Sequence, residues 1–385
     1  MDKDINELRN EINSIDREFV ELFIKRMGVS LSVAEYKKKT GMPVLDRSRE
    51  RELLNRVAKM SGDEMKTYTR LLYSTVLNLS RSYQHSFLDN TSVLTEKILS
   101  ASANTADVFP TEAVVACQGV EGAYSSLACE KLFRYPDIMF FDSFDGVFSA
   151  VQNGLCRYGI LPIENSTAGD IRQTYDLLAK YNFYICKRTQ IKIDHCLAAK
   201  PGADIKTIYS HEQALKQCFG FLKESSARQV PYTNTALAAE LVANSDDNTV
   251  AAICSERCAK LYGLEIVKRS IADNPDNTTR FICISKRPEV TPDADIISIC
   301  MSLPHTTGSL YRMLIRFALY GLNITKIESA PVPQAKQDIK RETFDVVFYL
   351  DFEGNALDPE VVRLMTILEE EMKYFKFLGN YKHFD

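Results

Sequence analysis

From Ile5 to Tyr36 the apolar residues come three and four apart: Ile5, Leu8, Ile12, Ile15, Phe19, Leu22, then Val29, Val33 and Tyr36. An α-helix returns such positions to one face, so the spacing predicts a single long helix with a heptad seam. Arg26 interrupts the seam where Leu or Val would pack. A cation there is costly unless it meets an anion, either an acidic residue of a neighbouring helix or a ligand, or snorkels to water. Lys37 lies eleven residues on, nearly on the same face and about 16 Å along the axis. Two long cationic side chains at that separation can bracket a small dianion. Arg9 adjoins the same stripe roughly 34 Å from the midpoint of that pair, out of reach of the same ligand. A functional Arg9 therefore serves a second copy packed antiparallel, and the segment predicts a dimer.

Gly41 and Pro43 end this helix. Asp46 can cap a second, with Arg49 and Glu50 three and four residues on. A third helix follows Ser61-Gly62-Asp63 and carries Ser80 and Gln84 at i,i+4 on a row with Tyr73, Val76 and Phe87. Polar groups in such a row either join two helices or face the cationic pair. In these residues (Leu8-Arg9, Arg26, Lys37, Asp46, Arg49-Glu50, Ser80 and Gln84) the segment resembles the all-helical chorismate mutase family. The resemblance implies that Arg26 and the Arg9 of a partner chain bind the two carboxylates of chorismate. It implies that Lys37 and Gln84 hold the ether oxygen, and that Asp46, Arg49, Glu50 and Ser80 hold the ring hydroxyl and a carboxylate. A sigmatropic rearrangement needs no base or nucleophile. It needs the compact substrate conformer and positive charge where the breaking C–O bond turns negative.

A chain of 385 residues exceeds one core. At 45% apolar and 25% charged it reads as globular throughout, and a net charge of −4 offers no general attraction to nucleic acid or anionic membranes. No run approaches the ~20 apolar residues of a membrane span. Met1–Asn6 is charged, without the apolar core of an export signal. The ten cysteines stand singly without a C-x-x-C, which predicts reduced thiols and a cytoplasmic location. The five histidines show no metal spacing; His195-Cys196 reads as a satisfied core pair, and no metal or other cofactor is expected.

Residues 1–90 thus form the helical domain, and the Ser/Thr/Ala/Asn-rich stretch 91–112 reads as a linker. From 113 to 288 strands alternate with helices. Strands are expected at 138–142, 157–163, 183–187, 191–199, 207–209, 250–254 and 280–285, after a first at Val114–Cys117. Helices are expected at 124–134, 143–152, 170–180, 211–223, 235–244 and 255–261. Such alternation means an α/β sheet with ligands at strand ends. The loop Gly119-Val-Glu-Gly122 is not G-x-G-x-x-G, which disfavours a dinucleotide and hydride transfer. It can still offer backbone N–H groups and Ser125 to a carboxylate.

Three polar clusters end strands here: Glu164-Asn165-Ser166, Ser210 with Gln217 on the helix behind, and Thr278-Thr279-Arg280. Each alone is a plausible cap or turn. Together with Gly122-x-Tyr124-Ser125, Pro162-Ile163, Ile193-Asp194-His195-Cys196-Leu197 and Tyr262-Gly263-Leu264, they resemble prephenate dehydratase. The resemblance implies a two-lobed domain like a periplasmic binding protein, with prephenate in the cleft and Thr279 as the main catalytic residue. Glu164, Asn165, Ser166, Ser210 and Gln217 would be its neighbours. Thr is a poor acid, so Glu164 is the candidate proton source; Arg280 reads as a carboxylate binder or an ion-pair partner.

Residues 295–382 read as βαββαβ: strands at 296–303, 324–331, 343–351 and 374–378, helices at 309–319 and 359–372. This is the ferredoxin-like plan, and it resembles an ACT regulatory domain. In dehydratases that domain binds phenylalanine at Gly-Ala-Leu-Val and Glu-Ser-Arg-Pro. Here the motifs read Gly308-Ser309-Leu310-Tyr311 and Glu328-Ser329-Ala330-Pro331. Ala330 in place of Arg, and the bulk of Tyr311, weaken the implied feedback. Gly308, Leu310, Asn323, Glu328 and Ser329 would make the effector contacts; a domain that only dimerises is the competing reading. The expectation is a multidomain enzyme converting chorismate to prephenate and then to phenylpyruvate, inhibited by L-phenylalanine. A non-catalytic ligand-binding sensor leaves the Arg9, Arg26, Lys37 and Gln84 set unexplained. A mutase fused to a dehydrogenase lacks its dinucleotide loop.

Overall fold

A computed structural model describes residues 4–88, 92–106, 108–331 and 346–384. They fall into two compact units. One holds the described residues up to Leu99 together with 300–331 and 346–376; the other holds 100–299 and 377–384.

The seam forms one helix, α1, Ile5–Thr40, closed by Gly41 in the left-handed region at φ 68°. Helix α2, Arg47–Met60, is opened by Asp46, whose carboxylate accepts from the N–H groups of Ser48 and Arg49. Helix α3, Gly62–His85, packs against both. The seam itself is bare. Ile12, Ile15, Phe19 and Leu22 are at least half exposed, and Ala34 is the buried residue of α1. Where a linker is expected, α4, Val93–Asn104, forms instead. Ser92 Oγ caps it through Thr95 N, and Thr95 and Ile98 are buried. The small polar residues around this short stripe conceal it in the composition.

The middle of the chain builds two sheets. In order come β1 Glu112–Gln118, α5 Tyr124–Leu132, β2 Tyr135–Phe141, α6 Phe144–Gln152, β3 Tyr158–Asn165, β4 Gly169–Asp170, α7 Arg172–Lys180 and β5 Tyr184–Lys192. Then follow β6 Cys196–Ala199, β7 Thr207–His211, α8 Glu212–Gln217, α9 Phe219–Lys223 and β8 Arg228–Tyr232. The unit continues with α10 Thr235–Asn244, β9 Val250–Cys254, α11 Glu256–Leu261, β10 Glu265–Lys268 and β11 Thr278–Ser285. The second sheet runs β10-β6-β9-β7-β8. The chain therefore crosses from the first sheet to the second after β5 and returns before β11, the two-crossover plan of a two-lobed domain. Strands β8 and β10 escape the periodicity because both are edges, with mostly exposed side chains and, in β8, a Pro.

The last part forms β12 Ile296–Ser302, α12 Ser309–Leu319, β13 Ile324–Pro331, β14 Val346–Glu353, α13 Pro359–Glu371 and β15 Phe375–Tyr381, followed by β16 His383–Phe384. The four-stranded sheet has the order β13-β14-β12-β15, the ferredoxin-like order. Helix α12 and strand β13 have the expected bounds; the start expected for β14, Thr343, lies outside the described residues. Strand β16 pairs parallel with β5, so the first middle sheet runs β16-β5-β11-β3-β1-β2, with β4 on β3. All ten cysteines are free and buried. No helix among the described residues is long and apolar enough to cross a membrane.

Candidate active sites

Two polar constellations stand out, one on the helices and one where β3 meets β11. On the helices, Arg26 Nη1 donates to Ser80 Oγ at 2.5 Å, joining α1 to α3. Gln84, one turn beyond Ser80, is buried, and its Oε1 has no partner among the described residues. Lys37 Nζ donates to the Val44 carbonyl at 2.5 Å. Burial holds the Lys37 ammonium below its usual pKa, Asp46 and Glu50 pull it up, and Arg81 adds to the lowering. Glu50 pairs with Arg81, and Arg49 lies exposed beside Glu52. Arg9, seventeen residues before Arg26 on α1, is about 26 Å away along the axis. The fold thus gathers Arg26, Ser80, Lys37, Asp46 and Glu50 along one side of the helices and leaves Arg9 apart.

Arg81 had no signal beyond its place next to Ser80 in an apolar row. It is a hub: Nη1 meets Glu50, Nη2 meets Asn78, and Nε lies 3.0 Å from Glu371 on α13.

In the middle unit, β3 and β11 pair antiparallel with Thr279 opposite Asn165 and Arg280 opposite Glu164. Asn165 Nδ2 donates toward Thr279 Oγ1 at 2.8 Å, Asn277 Oδ1 at 2.9 Å and the Thr278 carbonyl at 3.1 Å. Its Oδ1 accepts from the N–H groups of Thr167 and Ala168. The amide is fully engaged and therefore fixed. Ser166 and Thr278 are stitched together, Ser166 Oγ accepting from Thr278 N at 2.9 Å and the Thr278 carbonyl from Ser166 N at 2.9 Å. Thr279 Oγ1 accepts from Asn165, and no acceptor for its own proton stands among the described residues. Asn277 is 1% exposed, and its Nδ2 is also without a partner among them. Asn277 opens the same polar run as Thr279, and that adjacency is the signal by which it is legible.

Successive strand residues face opposite ways. Thr279 and Asn165 turn to one face of the sheet and are 7% and 8% exposed. Glu164 and Arg280 turn to the other, their side chains about a third exposed, with Arg280 Nη1 donating to Glu164 Oε2 at 2.5 Å. The carboxyl expected beside Thr279 as an acid is thus an ion-pair partner on the reverse face. Ser210 is fully buried and donates to the Ile253 carbonyl at 2.6 Å. Gln217 Oε1 lies 3.1 Å from His195 Nε2, while the Gln217 carbonyl accepts from Asp273 N at 2.7 Å, tying α8 to the segment that leads into β11. Tyr124 donates to the Asp194 carbonyl at 2.8 Å, 3.4 Å from His195 Nδ1. Burial lowers the His195 pKa, with Gln217 and Asp194 opposing. Ser125 is buried in the first turn of α5.

In the last part Gly308, at φ 77°, precedes α12, and Leu310 lies partly exposed in its first turn. Asn323 opens β13 through its carbonyl, which accepts from Glu353 N; Glu328 and Ser329 lie opposite Tyr349 and Phe348. Ala330 is buried. Among the described residues no group of three or more His, Cys, Asp or Glu has metal-holding geometry.

Two family models match the chain: Chorismate mutase type II over residues 8–85 and Prephenate dehydratase over 115–289. A bifunctional chorismate mutase/prephenate dehydratase of Buchnera aphidicola is 30% identical over 98% of this chain and 96% of its own. Arogenate dehydratase/prephenate dehydratase 2 of Arabidopsis thaliana is 38% identical over 69% of this chain and 72% of its own. Among solved structures, a prephenate dehydratase from Arthrobacter aurescens in complex with L-Phe superposes with a TM-score of 0.62 at 29% identity, covering 70% of this chain and 89% of that one.

Proposed function

The chain belongs to the family of bifunctional chorismate mutase/prephenate dehydratases, and we propose which of its residues carry each reaction. It rearranges chorismate to prephenate, then dehydrates and decarboxylates prephenate to phenylpyruvate, two steps toward phenylalanine.

For the rearrangement, Arg26 and the Arg9 of a second copy hold the two carboxylates, and Lys37 and Gln84 meet the ether oxygen. Asp46, Arg49, Glu50 and Ser80 hold the ring hydroxyl and the remaining carboxylate contacts. The bare seam of α1 supports a homodimer, since an apolar stripe of this length is stable when a second helix covers it. The protein supplies conformation and charge placement alone, which is what a pericyclic step requires.

For the second reaction, the C–O bond to the ring hydroxyl and the C–C bond to the ring carboxylate both break. The electron pair of the latter completes the aromatic ring as CO₂ leaves. The ring oxygen takes up a proton from solvent and leaves as water, with Thr279 donating a hydrogen bond to it as it departs. The single observation that carries this is the Thr279 hydroxyl, pinned by Asn165 at 2.8 Å with no acceptor for its own proton among the described residues. Asn165, Ser166 and Thr278 hold it in place, and Gln217 orders the approach to β11. Ser125, Ser210 and the Glu164–Arg280 pair complete the surroundings from greater distance. The ferredoxin-like part is an ACT domain, with Gly308, Leu310, Asn323, Glu328 and Ser329 around an L-phenylalanine effector; the L-Phe bound by the Arthrobacter relative supports this.

The test follows chorismate loss and phenylpyruvate formation with and without phenylalanine. Arg26→Ala is expected to remove both from chorismate and to leave turnover of added prephenate intact. Loss of prephenate turnover as well would refute the two-site assignment.

A further inference from the structure

Within the first compact unit a cavity of ≈ 260 Å³ opens where α2 and α3 meet α12 and α13. Its charged lining is Arg47, Arg81, Arg312 and Arg316 against Glu50 and Glu371, four cations facing two anions. The two carboxylates are already shared. Arg81 reaches both, Arg316 pairs with Glu371, and Arg47 Nη2 donates to the Glu371 carbonyl at 2.9 Å. Arg316 is 5% exposed, and its Nη1 has no partner among the described residues. Arg312 is held by the neutral groups of its own loop: the Thr307 carbonyl at 3.0 Å and the hydroxyls of Thr306 and Ser309 at 3.0 and 2.9 Å. Burial, then Arg81 and Arg316, push its pKa down while Glu50 opposes them, as expected of crowded cations whose nearby carboxylates are shared. Arg81 and Arg316 are buried, Arg312 is half-buried and Arg47 exposed, and a desolvated guanidinium is costly unless an anion joins it.

We propose that this cavity binds a small dianion beside the helical catalytic site, with which it shares Glu50. Arg47, Arg81, Arg312 and Arg316 supply the planar forks that suit carboxylate or phosphate oxygens. Its volume admits inorganic phosphate or a dicarboxylate built on one ring. The consequence reaches the rearrangement, and this clause rests on Glu50's role there. Arg81 is the only guanidinium among the described residues that spans Glu50 and Glu371. An anion in the cavity competes with both carboxylates for Arg81, which frees Glu50 and ties the rearrangement to the state of the carboxy-terminal part.

The experiment uses the full chain carrying Arg26→Ala, which weakens dianion binding at the helical catalytic site. Isothermal titration with inorganic phosphate and, separately, with isophthalate counts the remaining sites. Adding Arg312→Gln is expected to weaken one site by about tenfold or more for the tighter probe, and that probe identifies the source. Arg312 makes its hydrogen bonds within its own loop, so this variant folds; Arg316→Gln repeats the test at the buried end, with thermal melting as the check. In the chain with Arg26 intact, the same anion is expected to change kcat for chorismate, and Arg312→Gln to keep basal kcat while losing that response. Unaltered stoichiometry and affinity in the Arg312→Gln and Arg316→Gln chains overturn the proposal. A lost site with no effect on chorismate turnover overturns the coupling through Glu50 and leaves the binding site standing.

Discussion

Replacing Thr279 by Val deletes one oxygen and keeps the shape of the side chain. Asn165 Nδ2 carries two hydrogens and faces three acceptors: Thr279 Oγ1, Asn277 Oδ1 and the Thr278 carbonyl. Removing Oγ1 leaves two acceptors for two hydrogens, so no buried donor is orphaned. The folding cost is then that of one net hydrogen bond, about 1 kcal/mol or less. The catalytic cost is larger. A donor aimed at charge that develops in the transition state is worth ~10²–10³ in rate, about 2.7–4 kcal/mol. Thr279→Val should therefore lose roughly that factor in kcat/KM for prephenate, read as phenylpyruvate absorbance. Chorismate consumption by the same preparation serves as an internal control and should not change. Retention of prephenate turnover to within about tenfold would refute the donor role. A fall in melting stability of several kcal/mol, matched to the activity loss, would show the residue to be structural.

The remaining predictions concern the helical part. Burial, with Arg81, Arg316 and Lys37 adding, lowers the pKa of His85 from 6.5 to about 4, against the pull of Glu371. Below 6.5 the unfolded chain takes a proton that the native state refuses until about 4, so stability is lost as pH falls through that window, on the order of 3 kcal/mol in all. His85→Gln should flatten the loss in pH-stepped urea melts, and equal slopes would sink the reasoning. Phe19→Glu on the bare seam should yield monomers by light scattering and abolish chorismate turnover while prephenate turnover survives; a dimer that persists speaks against the seam. Asp46→Ala should cost about 1 kcal/mol through its lost cap, and Asp46→Asn, itself a good cap, should restore the melt but not the chorismate reaction.

The elements with a clear period are legible: the seam of α1, the apolar strands β1, β3, β9 and β11, and the described part of the βαββαβ run. What escaped had physical reasons. Strands β8 and β10 are edges with little buried face, so neither alternates. Helix α4 hides an apolar pair among small polar residues. Glu164 and Thr279 looked like partners because both end strands. Only the register shows that Asn165, not Glu164, faces Thr279. Arg81 and Glu371 are 290 positions apart, and no local pattern announces a pair at that separation.

The placement of the cysteines makes the molecule its own clock. Nine of the ten, Cys117 to Cys283, belong to one compact unit, Cys300 belongs to the other, and none lies on the helices before Leu99. Each is buried, so a maleimide reaches sulfur only when the surrounding unit opens. Mass spectra taken along a labelling time course would then time the opening of the dehydratase core and of the Cys300 strand separately. Substrate or phenylalanine added to such a course would show which of the two it holds shut.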